Sequence, residues 1–402
     1  MSPVGRLRAL ASDAGVRATA AARLVALAGA PVSLWLAATR LPAAQQGYFF
    51  VGVNIVALAQ LFELGLGAIV VQFASHEWPQ LRWAARGGLE GDPTARDTVA
   101  AVLRSAVRWY GGAGVVLFGV AGIGGTLLFG NPFTGAPLLF PVLWCAFALL
   151  TAMYLVLIPF ICVAEGCGDL VSVQRMRGAQ AAAVLLALWA GLLRGDALLA
   201  VWLAAAAQAV VAAVWLARRH PGLLRAPRSL PASVMKGPAG VPGRYRPEQG
   251  RSAQLWLALF LTYQSLVPIL LYLRGGDESG KLGITLAVAL ALLLSGGVML
   301  LPLVAPVFAS RFLPLTSLVA LFVAGLASLL LQAMAGWLRA FRDEQLAAPI
   351  VGGAVAVVLI SAVAAALDGV RTMTLAFAVA MLGVALPIAG AHFRRVRRQR
   401  LA

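Results

Sequence analysis

The chain has 402 residues, 61% hydrophobic and 12% charged, with a mean hydropathy of +0.88. Soluble domains carry about 25% charged residues, so this composition excludes water as the main solvent. The net charge of +17 raises nucleic-acid binding. The arginines cluster in loops beside apolar runs, a pattern that orients a membrane protein instead.

Apolar runs long enough to cross a hydrocarbon core of roughly 30 Å predict an all-α polytopic membrane protein. In chain order they are 20–39, 48–73, 107–129, 138–163, 178–193, 197–217, 253–273, 282–304, 313–338, 347–367 and 372–391. The short alternating strands of a β-barrel are absent. The first run ends at Arg40 without a small-residue cleavage site, so no cleavable signal peptide is expected.

Two polar loops are long. In 74–106, the part after Pro93 reads as a basic amphipathic helix on the membrane surface. Residues 218–252 are rich in proline, glycine and arginine and read as a flexible linker. The linker divides the chain into a lobe of six spans (1–217) and a second lobe of five apparent spans (253–402). Arg6, Arg8 and Arg17 place the N-terminus inside, with both long loops and 164–177; the loop 130–137 carries no charge. Eleven spans would put the C-terminus outside. Its tail "HFRRVRRQR" and the segment "LRAFRDE" demand the inside, so a crossing is hidden or missing within 282–338.

The halves echo each other. Pro31 and Pro268 interrupt the first span of each, Arg40 and Arg274 end those spans, and Gly47 and Gly280 follow. Matched proline-interrupted spans point to hinges at a transporter binding site; the alternative is ordinary kinks.

Gln60, Glu63 and Gly67 share one helix face. A carboxylate at membrane depth costs on the order of 2.5–3.5 kcal/mol, so Glu63 either serves ion coupling or a cavity, or pairs structurally with a neighbouring helix. Arg23 either snorkels to headgroups or meets a phosphate in a cavity. Glu165, Asp169, Arg175, Arg177 and Gln180 form a charged inner turn without metal-ligand spacing. Gly122, Thr126 and Gly130 give a small-residue face for tight helix packing. Cys145, Cys162 and Cys167 read as buried thiols. His76, His220 and His392 are scattered, so neither metal nor cofactor is expected.

"QGYFFVGVNIVALAQLFELGLGAIVVQFASHEW" (46–78) resembles the polysaccharide and O-antigen flippases of the multidrug/oligosaccharidyl-lipid/polysaccharide exporter superfamily. "WYGG" (109–112), "AEGCGDLVSVQRMRGAQ" (164–180), "GKLGITLAV" (280–288) and "LRAFRDE" (338–344) are similar to its motifs, in its order. The resemblance implies two six-helix lobes around a central cationic cavity. It also implies ion-driven transfer of polyprenyl-pyrophosphate-linked sugars to the outer leaflet of the cytoplasmic membrane. Its partners would be membrane lipids and polysaccharide assembly proteins, not nucleic acid. Carried over by motif, Glu63, Gln72 and His76 match the first stretch, Glu165, Arg177 and Gln180 the second, and Lys281 and Thr285 the third. That family has twelve spans, and the one expected before "RFLPL" is missing from the count. Rival readings are a drug or metabolite exporter of the same superfamily, a polytopic glycosyltransferase or polymerase, and an idle scaffold. The enzyme would need catalytic residues in an exterior loop, and "RGGDESGK" (274–281) is the only charged one of any size.

Overall fold

The computed structural model describes residues 14–63, 66–129, 138–225, 262, 264–295, 313–340 and 347–401. The 130–137 loop, the linker beyond Arg225, Arg6 and Arg8, and the side chains of Gln60 and Glu63 lie outside the described residues.

The first lobe contains α1 (Ala14–Arg40), α2 (Ala43–Glu63), α3 (Leu66–Glu77), a hairpin of β1 (Leu81–Trp83) and β2 (Leu89–Gly91), α4 (Pro93–Leu128), α5 (Leu139–Gly166), α6 (Leu170–Leu193) and α7 (Ala197–Arg219). The second contains α8 (Leu266–Arg274), α9 (Gly276–Ser295), α10 (Leu315–Ala340), α11 (Ala347–Asp368) and α12. The last helix runs from Val370 to Leu401 with a π turn at Met381–Ala385. Among the described residues, α1, α4, α5, α6, α7, α11 and α12 each contain a stretch long and apolar enough to cross a membrane.

Sequence sets the helix ends. Asp92 accepts the Ala95 N–H at 2.9 Å and Pro93 takes the first position of α4, where its missing N–H costs nothing. The surface helix expected after Pro93 is therefore not separate: 93–128 is one continuous helix. Its π turn at Phe118–Gly124 carries the Ala121 carbonyl, which accepts the Trp144 indole N–H of α5 at 2.7 Å. Gly122 and Gly125 meet α5; a Cβ on Gly122 would sit 3.1 Å from that of Ala148, and one on Gly125 would collide with Trp144.

The hairpin is a second difference from the sequence reading, which expected no strands. Leu81, Arg82 and Trp83 pair antiparallel with Gly91, Glu90 and Leu89. The Trp83 indole donates to Cys167 O at 3.0 Å, and the Gly222 and Leu223 N–H groups donate to Arg86 O and Gly87 O. The hairpin is thus fastened to the α5–α6 turn and to the first residues of the linker.

α1 and α6 run parallel in fixed register. Ala22 packs on Gly178, Gly29 on Leu185, and the Trp189 indole donates to Ser33 Oγ at 2.9 Å. Both climb from the hairpin end to the opposite end, where their turns meet: Gly195 lies beside Arg40 O, and the Ala197 N–H donates to Gln45 Oε1 at 3.0 Å.

The same end gathers the turns of the second lobe. Gly276 lies against Ala44, Arg274 donates to Ala365 O and Ala366 O at 2.9 Å, and the Val370 N–H donates to Glu278 Oε2 at 3.2 Å. Gly369, at φ +79°, makes the reversal that other residues resist. α11 therefore runs toward this end and α12 away from it, so the basic tail lies at the hairpin end. Residues 341–346 are too few to climb back along α11, about 31 Å long, so α10 also ends near the hairpin end. α9 and α10 run the same way, with the Leu313 N–H donating to Thr285 Oγ. The basic tail and the hairpin therefore share one end of the helices.

Candidate functional site

Two features could serve movement of a solute across the layer: a seal between lobes at one end and a polar cluster at the other.

The seal is built on α2 and α9. A Cβ on Gly47 would collide with Ser279 Oγ and sit 2.7 Å from Gly276 O. One on Gly280 would sit 2.6 Å from the Gln46 Cβ and 3.3 Å from Ala43 O. Aligning Gly47 with Gly280 also aligns Ala43 with Gly276, Gln46 with Ser279 and Phe50 with Gly283. Each of the first two contacts then has its mirror image, and Gly283 meets its own counterpart Phe50. The interface is isologous, with a local two-fold axis between the glycines. Small residues let the backbones approach this closely. Asn54 extends the join by donating to Gln264 O at 3.1 Å.

Gln46 braces the seal from the first lobe. Its Nε2 donates to Ala37 O, Ala38 O and Leu41 O at 3.2–3.3 Å, satisfying the last carbonyls of α1. The motif start Gln46-Gly47 thus combines a helix cap with a closure point, roles that a linear pattern does not display. The charged loop 274–281 is spent likewise. Arg274 covers the C-terminal carbonyls of α11, Glu278 covers the N-terminus of α12, and Lys281 pairs with Asp277 at 2.9 Å. Charges of these signs at these ends complement the helix dipoles.

At the hairpin end, Arg177 pairs with Glu165 at 2.7 Å, and Gln174 donates to the same carboxylate at 3.4 Å. Gln180, buried, donates to Gln208 O at 2.8 Å and ties α6 to α7. Arg23 is exposed on α1 next to Ala22, which packs on Gly178, so it stands at the height of the Arg177 pair. Gln72 and His76 are exposed on α3. Gln60 and Glu63 occupy the last turn of α2, about 30 Å along the helix from Ala43. That is nearer the hairpin end than the mid-depth expected from the apolar run.

Lys281 does not join this group. It lies in the second turn of α9 at the sealed end, while Thr285 donates to Lys281 O and accepts the Leu313 N–H. Of the proposed hinges, Pro31 is inside α1 on an exposed position, and Pro268 lies in the first turn of α8.

Beside the cluster, Asp169 accepts from His220 Nε2 at 2.9 Å and from Arg219 at 3.5 Å. His220 is 3% exposed, with its ring 4.3 Å from that of Trp83 and 5.1 Å from that of Trp215. Burial pushes its pKa below the usual range, while the bond to Asp169 pulls it back. Burial also raises the Cys167 thiol to about 12, leaving it unreactive.

A solved structure described as the inward-facing conformation of a multidrug resistance MATE family transporter of the MOP superfamily superposes with a TM-score of 0.52. The match covers 94% of this chain and 96% of that one at 14% identity. The chain is similar in fold to that transporter. No protein-family model and no curated protein matches the sequence.

Proposed function

We propose that this chain is an alternating-access flippase that carries a polyprenyl-pyrophosphate-linked oligosaccharide from the inner to the outer leaflet of the cytoplasmic membrane. The observation that carries the reading is the isologous Gly47–Gly280 seal, which among the described residues lies at one end, with the basic end opposite. Two lobes closed at one end by small residues and joined by a linker can exchange which end is closed. In this reading, 1–217 and 253–402 are the lobes, 218–252 is the cytoplasmic linker, and polysaccharide assembly proteins supply and receive the substrate. The motif resemblance favours a lipid-linked sugar, and an ion gradient acting through Glu63 drives the cycle. Arg177 enters as an already neutralised pair; Arg23 is the better cation for the diphosphate, with Gln60, Gln72 and Gln180 nearby on the same lobe and Lys281 acting only at the sealed end.

The test is disruption of the gene, followed by measurement of lipid-linked oligosaccharide in the cytoplasmic leaflet. Accumulation there, reversed by the intact gene, supports the flippase. An unchanged pool with increased sensitivity to cationic dyes favours a drug exporter, the second reading, which the multidrug description of the similar structure suggests.

A further inference from the structure

We propose that a groove between α6 and α7 at the basic end binds the headgroup phosphate of an anionic membrane phospholipid, with one acyl chain lying along the helices. The groove encloses about 700 Å³. Arg175, Arg218 and Arg219 form its rim, and Ala179, Val210 and Val214 belong to its apolar wall. Arg219 lies nine steps along α7 from Val210, so the wall extends about 13 Å below the rim. That is the profile of a lipid, with charge at the interface and hydrocarbon beneath. Arg219 is partly engaged by Asp169, which His220 holds more closely. Among the described residues, Arg175 and Arg218 have no carboxylate within 4.0 Å. Three guanidinium groups share the groove with one carboxylate, Asp169, so net positive charge is left to meet a phosphate, and basic pockets between helices at the inner face suit anionic headgroups. A zwitterionic lipid would leave their charge unanswered; an acidic peptide would leave Val210, 56% exposed, and Val214, 41% exposed, without apolar cover. The inference stands apart from the transport reading, because the groove lies on the face of α6 that does not carry Arg177.

The test uses the delipidated full chain in detergent, titrated with phosphatidylglycerol, phosphatidylcholine or a polyprenyl diphosphate while thermal unfolding is followed. Phosphatidylglycerol should stabilise the protein and phosphatidylcholine should not. The double variant Arg175→Gln, Arg218→Gln should bind phosphatidylglycerol about thirtyfold more weakly, the loss two arginines at a lipid surface carry together. Arg82→Gln, a charge removed from the hairpin, should leave the affinity unchanged. Equal stabilisation by both phospholipids, or by the polyprenyl diphosphate alone, would overturn the proposal. Should the double variant fold poorly, Val214→Trp decides: it fills the wall and keeps the charges, so retained phosphatidylglycerol affinity would overturn the proposal and lost affinity would support it.

Discussion

Glu278 accepts the main-chain N–H of Val370 across 92 residues of chain. This bond, with the two from Arg274 to α11, sets the direction of the last two helices. A reporter fused after Ala402 should therefore read the same side of the membrane as one inserted in the hairpin at 84–88. Opposite signals would break this topology. Glu278→Ala should cost about 1 kcal/mol, the usual loss for a helix cap, measured by thermal unfolding in detergent.

Much of this was legible in the sequence, for a physical reason. Hydrocarbon demands long apolar helices, so the spans declare themselves by length. The seal was half visible: Gly47 and Gly280 stood out as matched, but nothing in a linear pattern shows that two matched residues touch. The hairpin was hidden because three-residue strands carry too little alternation to notice. Arg177 and Glu165, or Gln180 and Gln208, could be read as chemistry or as architecture; only the fold shows that they bond to each other.

The local two-fold axis makes a sharp prediction. Gly47→Val and Gly280→Val place the same group in mirror-image crevices, so their losses of stability should be similar, about 1–3 kcal/mol each. Transport should fall in both. A large effect at one position beside a silent one at the other would mean the symmetry is only apparent.

The pH dependence of stability should carry the mark of His220. Its folded pKa lies below the unfolded value of about 6.5. Above pH 6.5 both states are neutral and nothing is lost. As pH falls through 6.5 the unfolded chain takes up the proton first, so stability declines until the folded pKa is reached. His220→Gln should flatten that decline between pH 7 and 5 in thermal unfolding curves. An unaltered pH profile in the variant would assign the decline to other groups.

Glu165 and Arg177 invite a double-mutant cycle. Arg177 is 40% exposed and Glu165 17%, so water screens the pair and the coupling should be about 1 kcal/mol. A coupling near zero would show the two charges to be independently solvated.

Glu63 is the residue on which the coupling hypothesis rests. Glu63→Gln keeps the shape and removes titration. If the carboxylate couples transport to an ion, the variant should accumulate to normal levels yet fail to clear lipid-linked oligosaccharide. If it instead partners an arginine, stranding that cation should cost about 3–5 kcal/mol when buried, and abundance should drop. Normal abundance with normal transport would dismiss both roles.

The mirror contacts around Gly47 and Gly280 have a genealogical side. Each half of the chain brings a glycine to the same step of the helix that joins it to the other, so two like halves could have met through this contact before any covalent connection existed. A duplicated and fused ancestor would leave such a trace, a glycine at the same step of both helices. On that descent, the two halves made as separate polypeptides should still find each other through this contact.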